Sequence, residues 1–60
     1  MSPDEFKKII SKAIGEEVAA FEFYNGISEK TKDNNLKDIF KELAAEEGKH
    51  KRTLEGFLAT

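Results

Sequence analysis

The sequence predicts an all-α protein: an antiparallel two-helix hairpin that pairs with a second copy of itself into a four-helix bundle. Three observations carry this expectation. Two long stretches of helical periodicity flank a short polar segment. Each stretch presents more apolar surface than one hairpin partner can cover. The chain has 60 residues and no cysteine. A domain of that size buries only about 60% of the surface its unfolded chain exposes, so it needs a staple. With disulfides and thiolate sites excluded, metal binding and self-association remain.

The first helix is expected over about residues 3–30. Ser2 can cap it, Pro3 suits its first position, and Glu5 completes a capping box. The segment Lys30-Thr31-Lys32-Asp33-Asn34-Asn35 is polar and rich in turn formers, which sets a turn at about 31–34. Asp33 or Asn34 can cap the second helix, expected over about 35–58. Nothing divides residues 1–60 into more than one domain, and no strand pattern is present.

Each helix carries a seam. On the first, Phe6, Ile10, Ala13, Glu17, Ala20, Tyr24 and Ile27 follow at steps of four and three. On the second, Leu36, Phe40, Leu43, Glu47, His50, Leu54 and Phe57 do the same. Such steps keep one stripe facing a partner helix. Ile9, Ile14, Phe21, Phe23 and Ile39 widen the apolar faces beyond that stripe. Two hairpins packed together would cover them. Gly15 and Gly48 read either as tolerated helix glycines or as points where a helix or small molecule comes close.

The seams are polar at Glu17, Glu47 and His50. An ionised carboxylate buried without a partner costs several kcal/mol, about what a small domain has to spare. Position 17 and the pair at 47 and 50 mirror each other about the turn. At a rise of about 1.5 Å per residue, all three therefore sit at one level. Glu47 and His50 share a face in the Glu-x-x-His spacing with which helical bundles bind metal. Two hairpins about a two-fold axis would offer four carboxylates and two imidazoles. Four negative charges would balance two divalent ions with both histidines neutral. Mixed oxygen and nitrogen donors suit iron or manganese, and zinc also binds such groups. Tyr24 lies one heptad from Glu17 toward the turn. It reads equally as a core tyrosine or as a hydrogen-bond donor or redox-active phenol near the metals. Glu16 and Glu46, beside the seam, read as solvated surface first and as groups at an entry to the site second.

Charged residues make up 37% of the chain, with both signs interspersed and a net charge of −2. There is no basic patch for nucleic acid and no apolar run of the roughly 20 residues a membrane span needs. The polar start Met1-Ser2-Pro3-Asp4-Glu5 is not a signal peptide. The expected compartment is the cytoplasm or another soluble interior compartment, such as a protein shell.

Two segments then stand out: Glu17-Val18-Ala19-Ala20-Phe21-Glu22-Phe23-Tyr24, and Leu36 to His50 with its Leu43-Ala44-Ala45-Glu46-Glu47-Gly48-Lys49-His50. Together they resemble the rubrerythrin branch of the ferritin-like superfamily over about residues 13–58. The resemblance implies Glu17, Glu47 and His50 as iron ligands, with Tyr24 beside them. It also implies oxidation of ferrous iron, or reduction of dioxygen or peroxide with electrons from a di-iron centre. Rubrerythrins carry four core helices in one chain, where this chain supplies two. In that respect it is similar to the encapsulated ferritin-like proteins, whose site forms across a subunit interface and whose location is inside a protein shell. Their C-terminal packing extension has no counterpart in these 60 residues, nor does the rubredoxin domain, so an electron donor would be another protein. Where the family has an extra carboxylate implicated in peroxide chemistry, Ala20 stands. The simpler set that remains suits ferroxidase chemistry.

Three functions are thus expected in order. The first is a di-iron ferroxidase or oxygen- or peroxide-reducing oxidoreductase with two iron ions per homodimer. The second is a non-catalytic iron-handling module whose metal staples the dimer. The third is a structural helical interaction module.

Overall fold

A computed structural model of the chain describes residues 1–59. It holds two helices, α1 (Pro3–Lys30) and α2 (Asn34–Leu58), folded back on each other, and no strand among the described residues. The hairpin expected from the sequence is the observed fold.

Local chemistry fixes the ends. Ser2 caps α1, its Oγ accepting from the Glu5 N–H at 3.1 Å. The Glu5 carboxylate accepts from the Ser2 hydroxyl at 3.2 Å, in place of the backbone N–H of a standard capping box. At the other end of α1 the Thr31 N–H and hydroxyl both donate to the Ile27 carbonyl, at 2.9 and 2.7 Å. Asp33 rather than Asn34 caps α2: one Asp33 carboxylate oxygen accepts from the N–H groups of Asn35 (2.9 Å) and Leu36 (3.1 Å). Only residues 31–33 separate the helices, a short loop that enforces antiparallel neighbours.

The pair forms a rod of 47 × 14 × 13 Å with a radius of gyration of 14.2 Å, against about 10 Å for a compact 60-residue chain. Its surface is 4672 Å². The scaling law for compact monomers gives about 3950 Å² at 6.8 kDa, so about 700 Å² is in excess. The buried apolar core consists of Ile10 and Ala44 alone among the described residues.

The contact between helices is rotated from the expected seam on α2. Ala44 is 3% exposed, and Phe40, Glu47, Lys51, Leu54 and Leu58 are half-buried. Leu36, Leu43, His50 and Phe57, which the periodicity also placed on the inner stripe, are exposed. A small residue at the crossing lets two helices approach closely, and the bulky column one position back is turned about 100° away. On α1, Phe6 is likewise exposed, its ring edge-on to Phe57 at 6.4 Å. Following the helical rotation, these side chains share one face of the hairpin with Ile9 and Phe23. That face is apolar and open.

Removing the Asp33 cap frees two N–H groups next to the turn. Asp33→Ala is expected to cost about 1 kcal/mol, measured as a lower urea midpoint with an unchanged slope.

Candidate metal centre

Glu17 projects from the middle of α1, Glu47 and His50 from the middle of α2. The hairpin brings one ligand atom of each within 4.8 Å of the others. His50 Nδ1 lies 3.3 Å from Glu17 Oε2 and 3.8 Å from Glu47 Oε2. The Glu17 and Glu47 side chains are 23% and 20% exposed, and that of His50 is 57% exposed. Glu17 Oε2 itself is buried and receives no hydrogen bond. The imidazole nitrogen nearby is at ion-pair distance but lacks the alignment an N–H donor needs. A buried carboxylate oxygen without a donor wants a cation.

The electrostatics agree. The pKa of Glu47 is held above its ordinary 4.5, first by sharing a hydrogen bond with the Glu17 carboxyl, then by desolvation and by the Glu17 charge. The charge and hydrogen bond of His50 oppose this without cancelling it. Two carboxylates so close cannot both ionise freely. A divalent ion between them would remove the conflict.

The donor set fits such an ion. Atoms bound at about 2.1 Å to one ion lie roughly 3.0–3.4 Å apart at tetrahedral to octahedral angles, near the separations seen. Two oxygens and one neutral-imidazole nitrogen are a mixed set acceptable to iron, manganese or zinc. Three donors leave coordination incomplete, and His50 reaches in from the exposed apolar face. Glu16 is exposed, and Glu46 pairs with Lys49 at 3.2 Å, as surface groups do.

The Tyr24 ring stacks on Phe40 at 6.3 Å and meets Phe23 at 5.6 Å, making it part of the packing between helices toward the turn. Gly15 faces open space, so close approach does not explain it. Gly48 lies in a groove of ≈ 340 Å³ that reaches Glu17 and Glu47 from the side away from His50. Sequence periodicity did not disclose this groove. The glycine beside Glu47 was its one signal.

Because the folded pKa of Glu47 is raised, its stabilising contribution is fully present below about pH 4.5 and is lost as pH rises through the folded value. In metal-free protein, Glu47→Gln is therefore expected to raise stability at pH 7. It should also flatten the part of the pH dependence that separates wild type from variant. Urea titrations of chelator-treated protein at several pH values check this. A variant less stable than wild type at neutral pH would mean that the carboxylates do not repel.

No curated protein and no solved structure matches the chain. A family model described as Rubrerythrin matches residues 8–60. With that match spanning most of the sequence, and a carboxylate–histidine cluster at the middle of a helical hairpin, the chain belongs to the rubrerythrin family.

Proposed function

We propose that this protein is a di-iron carboxylate protein whose metal site is completed by a second copy of the chain. The observation that carries the reading is the half-set of ligands. Glu17, Glu47 and His50 converge at one level, and His50 opens onto an apolar face that nothing covers. A two-fold axis over that face would set two half-sites together.

In this reading Glu17 and Glu47 hold the ions with their carboxylates, and His50 binds through Nδ1, the nitrogen that faces them. Two ferrous ions would supply the two electrons that, with two protons, reduce dioxygen to hydrogen peroxide or hydrogen peroxide to two waters. The chain's own part is to hold its donors rigidly on two helices and to keep water away once the face is covered. Tyr24, which packs between the helices toward the turn, would be a proton or electron donor beside the site. Manganese or zinc would satisfy the same donors. An external protein would return electrons if the cycle is reductive. The proposed compartment is the cytoplasm; no described helix is long and apolar enough to cross a membrane.

A non-catalytic metal staple is the second reading, favoured by the small core of the single hairpin. Metal binding to a site absent from the unfolded chain adds directly to stability.

Loaded anaerobically with ferrous iron, the protein is expected to hold about one iron per chain, or two per dimer, with a solution mass of an even number of chains. Glu47→Ala and His50→Ala should each abolish stoichiometric binding. Leu36→Glu, on the open face about three turns from Glu47, should give monomers and lose binding without touching a ligand. A folded monomer that binds no iron, or binds it equally in all three variants, would sink the shared site. Oxygen uptake on loading separates the oxidoreductase from the staple.

A further inference from the structure

The hairpin reaches its carboxylates from two sides. One is the open apolar face with His50. Gly48 and His50, two residues apart on α2, point about 200° apart around the helix. The groove at Gly48 therefore lies on the opposite, back face. If the front face is covered by a second copy, the back groove remains a way in from solvent.

Its chemistry says what could use it. Glu17 and Glu47 line its inner end, and Val18 and Phe21 give it an apolar wall on α1. Glu22 adds a carboxylate, whereas Lys51 and Arg52 add cations. Lys51 is turned toward Glu55, at 3.7 Å. The carboxylates repel anions, and the apolar wall of Val18 and Phe21 favours a small uncharged guest. Gly48 supplies the opening: a Cβ there would meet only Arg52 Nη1, at 3.7 Å, an ordinary contact with the end of a flexible side chain. A larger side chain would fit the backbone and fill the groove.

We propose that the groove centred on Gly48 is the passage by which a small uncharged oxidant, dioxygen or hydrogen peroxide, reaches Glu17 and Glu47 from the back of the hairpin. The inference rests on the di-metal reading for its purpose. Its geometry stands on the groove alone.

The test uses the whole chain with Gly48→Leu as a plug, Gly48→Ala as a mild change and Gly56→Leu as a control, since Gly56 has open space around it. Gly48→Ala should stabilise α2 by removing a helix glycine, so slower access in that variant cannot be ascribed to a damaged fold. The first readout needs no bound metal. Dissolved dioxygen is paramagnetic, and amide relaxation in wild type should be enhanced at Val18, Phe21 and Gly48 above the surface average. Gly48→Leu should abolish this enhancement and Gly56→Leu preserve it.

The second readout loads ferrous iron anaerobically and mixes with dioxygen in one arm and hydrogen peroxide in the other. Gly48→Leu should keep wild-type iron stoichiometry and slow oxidation at least tenfold, with Gly48→Ala between. Slowing in one arm alone identifies which oxidant uses the passage. Unchanged oxidation in both arms, or slower metal loading with unchanged oxidation, overturns the passage while leaving the metal site standing. Absent iron binding overturns the metal site, and the relaxation measurement still decides whether the groove admits dioxygen.

Discussion

Two carboxylates, Glu17 and Glu47, are held against each other and against His50 at the middle of a hairpin with very little core. The pKa of Glu47 is held up first by its hydrogen bond with the Glu17 carboxyl, then by desolvation and by the Glu17 charge. One carboxylate oxygen is buried without a donor. A chain this small would be more stable with leucines at these places. In the proposed reading this is the protein half of a cation site, in which the charge that works against folding of the hairpin would become the charge that binds.

The same hairpin is incomplete in a second way. Two helices bury one stripe of each other, and here the buried stripe is narrow and built around Ala44. The large side chains of both helices, Phe6, Ile9, Phe23, Leu36, Leu43 and Phe57, are left on the surface. Contiguous apolar surface of this kind marks an interface. His50 lies on that face, so the two deficits, apolar surface without cover and a ligand set without completion, have a common remedy in a second hairpin. Membership in the rubrerythrin family fits this reading, since a hairpin is half of a four-helix ferritin-like bundle.

A bundle completed in this way has an inside and an outside, and the helices treat them differently. The inner side carries the histidine and most of the bulky apolar residues, whereas Phe21 walls the outer groove. The outer side carries Gly48, Arg52 and the groove between the helices. Gly48 and His50, two residues apart along α2, thus serve opposite faces, so one short helix can carry a candidate ligand and an opening beside it.

Much of this was legible in the sequence because it is local or periodic. Ser2 and Asp33 are caps wherever they precede a helix, so the helix starts and the turn could be placed from them. The meeting of Glu17 with Glu47 and His50 followed from equal rise on either side of a known turn, which involves only distances along the helix axes. Rotation about those axes was not legible. The columns through Leu43 and Ala44 differ by one residue and about 100°, and periodicity alone favours the larger side chain as the inner one. Close packing of the antiparallel pair chose Ala44 and turned Leu36, Leu43, His50 and Phe57 outward. That choice also fixed that Gly48 opens a groove while Gly15 faces open space, that Glu17 Oε2 is buried without a donor, and that Tyr24 stacks on Phe40. The sequence by itself determined the helices, the turn and the level of the site. Only the tertiary structure decided which face is open, because the angle at which two helices meet is set by side-chain volumes on both at once.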